Sequence, residues 1–374
     1  MQDMAKGGNP TRTSKGKGPN SGNTVKRAGS RPDDSNVVEP NVPIELQQRC
    51  LNIFRDALQP DDQDATTVQE VKGHLYNRNF ATAFGKEEYL RVYASRWSPS
   101  RALGYLQVFN DIEESILPAG NTIPLKGEDG SAYNIVCLGG GAGAELVGLA
   151  GWLSELRESL SDMKLRITLI DIAYWGTTVN DLHKRIVTPP ELSKYASAAA
   201  KEANKVMLPE ETLEASFLQQ DVLEWPEEDI TKMVGDAKLV TLLFTLNELY
   251  STNVPKTQRL LSHLTSLLRP DAFLLVVDSP GNYSTVSING AEKKYPMQWL
   301  LDYTLLGSEQ KVGGARVVPK WEKVLSDDSR WFRMPQGLRY PIELENMRYQ
   351  VHLYRRLGEG EEREQERVGE RERD

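Results

Sequence analysis

From Ala132 onward, short apolar runs alternate with longer amphipathic stretches, a pattern that predicts a parallel sheet with crossover helices. The runs are Asn134–Leu138, Leu165–Ile172, Ser216–Val222, Leu239–Leu246 and Ala272–Asp278. Helices are expected around Ala144–Leu160, Thr177–Ile186, Glu191–Asn204 and Lys256–Leu268. Trp321–Phe332 and Met347–Arg356 also have strand composition, and Met347–Tyr354 alternates like a strand with one wet face. The expectation is an α/β fold with a doubly wound, mostly parallel sheet of seven strands, the last two antiparallel to each other.

Upstream the period changes. Ile44, Leu46, Leu51, Ile53, Phe54 and Leu58 approximate one helical face that stops near Pro60. A second helix is expected from about Thr66 to Phe84 and a third around Lys86–Ser95. Ser98-Pro99 reads as an N-cap with proline at the first helical position, opening a fourth helix to about Ile116. Residues 37–118 therefore form an N-terminal helical extension, and the α/β domain spans 119–357.

The ends differ from this body. Residues 1–36 are rich in small polar residues, carry a charge balance of +4 and bury too little to order, so a disordered basic tail is expected. It is either a solvated tail or a basic arm for RNA or an import receptor. Residues 358–374 read as a charged disordered tail. The net charge of −8 means that a nucleic-acid partner requires a local basic patch. Cys50 and Cys137 are too few for a disulfide framework or a four-ligand zinc site, and a reducing compartment is expected. No apolar run reaches the length of a membrane span and no secretory signal opens the chain, so no membrane is expected. His74, His183, His263 and His352 are scattered without metal-ligand spacing, so no metal is expected.

The chemistry concentrates at strand ends. Ile135-Val-Cys-Leu runs into Gly139, Gly141 and Gly143, a G-x-G-x-G turn opening a helix. Glycines there admit positive φ and let a ligand approach the main chain, and the helix N-terminus favours an anion. Asp171, ending the second run, can accept from both ribose hydroxyls, and Asp221, after the third, suits an adenine amino group. A nicotinamide-binding domain shares the first two features but more often spaces its glycines G-x-G-x-x-G. The spacing resembles Rossmann-like class I methyltransferases, whose turn reads E/D-x-G-x-G-x-G. Cys137 replaces the usual first acid, and Glu145 either takes over that role or is simply buried.

After the fourth run come Asn247, Glu248 and Tyr250. Asn247 and Tyr250 can orient a planar base and Glu248 can accept a proton; alternatively Asn247-Glu248 caps a helix beginning near Thr252. Asn-x-x-Tyr resembles the Asn-Pro-Pro-Tyr motif of enzymes that methylate amino nitrogens, without the prolines. Asp278, ending the fifth run, is a further pocket wall. RNA contacts are expected at Arg91-Val-Tyr93-Ala-Ser-Arg96-Trp97-Ser-Pro-Ser-Arg101, at Lys293-Lys294-Tyr295, and at Arg330-Trp-Phe-Arg333 with Arg339. A solvated helix face with buried aromatics explains each of these equally.

Leu138–Glu145, Leu169–Trp175, Leu243–Tyr250 and Arg91–Ala102 together are similar to the fungal 25S ribosomal RNA uridine-N(3)-methyltransferases, over roughly residues 43–357. The resemblance implies methyl transfer from S-adenosyl-L-methionine to a uridine imide nitrogen in large-subunit rRNA. It implies ribosomal RNA or a pre-ribosome as partner, in the nucleus (nucleolus) or cytoplasm. A monomer is a separate expectation, which the sequence does not fix. Glu248 or Asp278 would then assist deprotonation while Asn247 and Tyr250 position the base. The competing readings are a methyltransferase for a protein or small molecule, and a non-catalytic cofactor-binding assembly factor.

Overall fold

In the computed structural model the apolar runs pair into one seven-stranded sheet, and its order, rather than any single strand, positions the site. The structure describes residues 42–117, 132–156, 164–281, 283–288, 291–307 and 319–359. The expected tail at 1–36, the boundary at 118–119 and the chain beyond 359 lie outside the described residues.

Four helices come first: α1 (Ile44–Leu58), α2 (Ala65–Tyr76), α3 (Phe80–Ala83) and α4 (Glu87–Ile116). Then follow β1 (Tyr133–Leu138), α5 (Ala144–Leu156), β2 (Leu165–Asp171), α6 (Gly176–Val187), α7 (Ala198–Ala203), β3 (Leu213–Gln219) and α8 (Glu227–Val234). Next are β4 (Leu239–Leu243), α9 (Leu246–Thr252), α10 (Val254–Leu267) and β5 (Phe273–Asp278). A hairpin, β6 (Tyr283–Ile288) and β7 (Ala291–Pro296), leads to α11 (Met297–Leu305), and β8 (Trp321–Phe332) and β9 (Met347–Arg356) close the sheet.

The sheet order is β3-β2-β1-β4-β5-β9-β8. The first five strands are parallel, β9 is antiparallel to β5, and β8 is antiparallel to β9. Strand order reverses between β1 and β4, and in such sheets ligands bind beyond the carboxyl ends of the strands at that switch point. Alternation along each strand serves two cores. Ile135 and Cys137 of β1 face the core that holds α1, α4, α5 and α6, whereas Val136 and Leu138 face the one built with α8, α10 and α11. Strands buried on both faces read as continuous apolar runs, which is why they were visible in the sequence.

The extension is not a separate layer. Leu51 and Phe54 of α1 and Leu103, Leu106 and Phe109 of α4 share one apolar core with Leu146, Leu149 and Leu153 of α5. Contact there is close enough that a Cβ on Gly151 would lie 3.1 Å from the sulfur of the buried Cys50.

Several boundaries differ from expectation. The stretch expected as one helix over Thr66–Phe84 breaks at Asn77-Arg78-Asn79, where Arg78 has φ 54° and Asn79 caps α3. α4 runs unbroken through Pro99, so Ser98 is no N-cap. A proline inside a helix removes the N–H that would reach the carbonyl four residues back. That carbonyl, on Ser95, instead accepts the Tyr340 hydroxyl at 3.1 Å. β3 begins and ends earlier than expected, leaving Asp221 in the turn beyond it, and only Ala198–Ala203 is helical within 191–204.

Candidate active site

β1 delivers the chain to the glycine turn at the switch point. Gly139 takes φ 83°, and its N–H donates to the Ile170 carbonyl at 2.7 Å. A Cβ there would overlap Thr245, and one on Gly141 would overlap the Trp175 ring. The turn thus needs glycine both for its backbone angles and for its close neighbours. Gly143 takes φ 80° immediately before α5.

Around this turn lies a cavity of about 750 Å³, whose wall includes Gly139, Glu145, Asp171, Asp221, Asn247, Glu248 and Asp278. Asp171 Oδ2 accepts from the Gly141 N–H at 3.2 Å and Oδ1 from the Ala173 N–H at 3.0 Å. Burial raises the Asp171 carboxyl above its ordinary range, and those two N–H groups oppose the rise. Asp221 accepts from the Leu223 N–H at 2.9 Å, a local turn bond that holds its carboxylate beside the cavity. Glu145, in the first turn of α5, is 3 % exposed, and its Oε1 has no hydrogen-bond partner. Burial pushes its pKa up to about 8 against the opposing pull of the Arg101 guanidinium, so at neutral pH the carboxyl is largely protonated.

On the other flank β4 ends at Leu243. Phe244 adopts φ 56° while its N–H still donates to Val277 at 2.7 Å, and α9 begins two residues later. Asn247 and Glu248 therefore sit in the first turn of a helix and face the cavity. The cap expected there belongs instead to Asn253, which opens α10. The Asn247 N–H donates to Asp278 Oδ2 at 2.9 Å and the Ser279 N–H to Oδ1 at 2.7 Å; burial raises Asp278 to about 6. Glu248 keeps a buried Oε2 without a partner. Tyr250 is a correction. At about 100° per residue it lies roughly 200° round the helix from Glu248, 2 % exposed in the core with Leu261, Leu301 and Tyr354, and it does not line the cavity.

The facing wall comes from the extension, and sequence reasoning missed its role. Tyr93, Trp97 and Arg101 recur every fourth residue on α4 and all line the cavity. Tyr93 packs against Trp97 with ring centroids 4.9 Å apart and against Trp175 at 5.8 Å. Arg101 donates to the Tyr93 hydroxyl at 2.8 Å and lies 5.0 Å from the Phe244 ring centroid. Ser98 donates to the Ala142 carbonyl at 2.8 Å, stitching α4 to the glycine turn. A break assumed at Pro99 hides this face, whereas a continuous helix reveals it.

Most arginines expected at RNA are engaged within the protein. Arg91 pairs with Asp64, Arg96 with Glu345, and Arg330 with Asp327 and Asp111. Arg333 lies over the Trp331 ring at 4.1 Å, while Lys294 and Arg339 are exposed. The side chain of Lys293 lies outside the described residues. Among the described residues no His, Cys, Asp and Glu side chains cluster as metal ligands, and no helix is long and apolar enough to cross a membrane.

A doubly wound sheet with one antiparallel strand inserted beside its last, a glycine turn after β1 and carboxylates after β2 and β3 defines a class I methyltransferase. The chain belongs to the S-adenosylmethionine-dependent methyltransferase family whose model, described as "Putative SAM-dependent methyltransferase", matches residues 52–355. It is 34% identical over 332 residues to a Saccharomyces cerevisiae protein named 25S rRNA (uridine(2843)-N(3))-methyltransferase, covering 82% of this chain and 85% of that one. Solved structures similar to it include a SAM-dependent methyltransferase from Methanosarcina mazei, with 11% identity, TM-score 0.35, and coverage of 61% of this chain and 94% of that one. An S-adenosylmethionine-dependent methyltransferase from Clostridium acetobutylicum shares 10% identity at TM-score 0.33, covering 76% of this chain and all of its own.

S-adenosylmethionine fits the residues present. The cavity has the volume of a small-molecule site. Gly139 and Gly141 leave no room for side chains at the turn, and the partnerless Oε1 of Glu145 offers an acceptor to a cationic ammonium.

Proposed function

We propose that this methyltransferase modifies N-3 of a uridine in large-subunit (25S) ribosomal RNA, acting on the RNA or on a pre-ribosome in the nucleus (nucleolus) or cytoplasm. The observation that carries this reading is the similarity, across most of both chains, to the yeast protein named for that reaction.

The cofactor's amino-acid end is held between opposite charges. Glu145 would take the ammonium and Arg101, reaching in from α4, the carboxylate, while the backbone at Gly139 would lie against the donor; Gly141 and Gly143 do not line the cavity and act by shaping the turn. Asp171 accepts from the ribose hydroxyls and Asp221 from the adenine amino group. When bound, the donor supplies an electrophilic methyl group on its sulfonium.

A uridine imide nitrogen carries a proton and is a weak nucleophile until that proton leaves. Glu248 is placed to take it, since its Oε2 has no competing hydrogen bond. Both oxygens of Asp278 already accept backbone N–H groups, so Asp278 acts as a positioning residue that fixes Asn247. The Asn247 side chain then orients the uracil edge. Because that edge is hidden in a base pair, the nucleotide enters unpaired.

The test is mass spectrometry of nucleosides from the large-subunit rRNA of cells with and without the protein. One 3-methyluridine should disappear without the protein and return with the wild-type chain. An unchanged 3-methyluridine content would overturn the substrate assignment.

A further inference from the structure

The cavity is chemically two-sided. Its deep wall is acidic, with Glu145, Asp171, Asp221, Glu248 and Asp278, whereas the edge formed by α2 and the turn after it brings Lys72, Tyr76 and Arg78. Lys72 and Tyr76 are four residues apart on one helix and so share a face. Arg78, with its left-handed backbone, follows where the chain turns out of α2.

Among the described residues, none of these three side chains is spent on an ion pair. Tyr76 is 90 % exposed, although an aromatic ring in that position serves no packing. Among the described residues, neither Tyr76 nor Arg78 has a side-chain hydrogen bond, ion pair or ring contact. Lys72 has no ion pair, and its ammonium stands 6.0 Å from the Trp97 ring centroid. The one acid within α2, Glu70, accepts the Tyr89 hydroxyl at 2.6 Å, and Asp64, just before the helix, pairs with Arg91. In a chain of net charge −8, two uncompensated cations flanking a bare ring at one cavity edge suit a partner with both negative charge and flat faces. Single-stranded RNA has both.

We propose that Lys72, Tyr76 and Arg78 form a clamp for the single-stranded RNA beside the target nucleotide. Tyr76 stacks on a neighbouring base, and Lys72 and Arg78 take phosphates on either side, leaving the target base free to enter the cavity. The clamp rests on the RNA reading of the substrate and assigns the flanking nucleotides to residues outside the sheet.

Full-length protein with S-adenosylhomocysteine present is titrated with a fluorescein-labelled single-stranded oligouridylate over a range of salt. Lys72→Gln combined with Arg78→Gln should weaken binding about tenfold and reduce the slope of log affinity against log salt by about 1.4, for two phosphates at about 0.7 each. Tyr76→Ala should cost about fivefold or more, with recovery in Tyr76→Phe. S-adenosylhomocysteine affinity should stay at the wild-type value in all of them. Variants that bind RNA like the wild type would sink the clamp and leave the proposed reaction standing. A loss of RNA affinity matched by lost S-adenosylhomocysteine affinity would assign these residues to the fold and also overturn it. A wild-type protein that binds S-adenosylhomocysteine but no RNA would remove the clamp together with the rRNA reading.

Discussion

The Gly141 N–H donates to Asp171 Oδ2 at 3.2 Å, so one carboxylate both pins the glycine turn to the end of β2 and faces the cavity. If Asp171 holds the donor's ribose as proposed, turn shape and sugar recognition are coupled through a single side chain.

Gly141→Ala tests the turn's packing. The added methyl would enter the ring of Trp175, which is buried and bounded by Phe84 and Tyr93. Overpacking of this kind costs about 1–3 kcal/mol. Thermal unfolding should shift down accordingly, and calorimetry should show S-adenosylhomocysteine binding weakened at least about tenfold, since the backbone must move. An alanine variant with unaltered melting and affinity would contradict this geometry.

Glu145 makes the unliganded protein sensitive to alkali. Its carboxyl titrates at about 8 in the fold against an ordinary 4.5, because burial disfavours the charge. The charged groups facing it are Arg101, which favours ionisation, and Asp171, which opposes it. Between those two values the unfolded chain binds fewer protons than the folded one, so stability falls as pH rises, by at most about 1.4 kcal/mol per pH unit. Below 4.5 this contribution is fully present; by pH 8 it is gone. Glu145→Gln should match the wild type near pH 4.5 and exceed it near pH 8 in denaturant melts without cofactor. The same variant should bind S-adenosylhomocysteine more weakly, because the ammonium loses its counter-charge.

Arg101 should distinguish two ligands that differ only at the amino-acid end. Arg101→Met should weaken S-adenosylhomocysteine about tenfold to a hundredfold, the worth of a hydrogen bond to a charged group. Affinity for 5′-methylthioadenosine, which has no carboxylate, should change by no more than about twofold. Equal losses for both ligands in titration calorimetry would take the carboxylate away from Arg101.

Glu248→Gln should slow single-turnover methylation of uridine-containing RNA by about a hundredfold or more, the usual contribution of a positioned base. Binding of RNA and of S-adenosylhomocysteine should be unaffected. Raising the pH should recover part of the rate, because more of the imide is then ionised without help. A variant as fast as the wild type at neutral pH would exclude Glu248 as the base.

The parallel strands, the glycine turn and the acids after β2 and β3 were legible because each follows from a local pattern: runs buried on both faces, or residues tied to one turn. Three features were not. Pro99 sits mid-helix because a tyrosine hydroxyl over two hundred residues away replaces the lost donor, and no window around Pro99 contains that information. Phe244 ends β4 in a left-handed turn, a conformation phenylalanine seldom signals, so the helical phase that buries Tyr250 could not be set from spacing alone. Arg91 and Arg96 of α4 looked like RNA contacts, but their partners, Asp64 and Glu345, come from other segments of the chain. Composition shows a charge; only the fold shows whether it is already neutralised.

Two fully buried thiols lie at different depths of this architecture, Cys50 where α1 meets α5 and Cys137 beneath the glycine turn. Burial lifts the Cys50 thiol to about 12 and the Cys137 thiol higher still, so neither reacts while its lid is shut. The pair would serve as two internal stopwatches: alkylation of Cys50 would time any opening of the seam between α1 and α5, and alkylation of Cys137 any opening beneath the glycine turn.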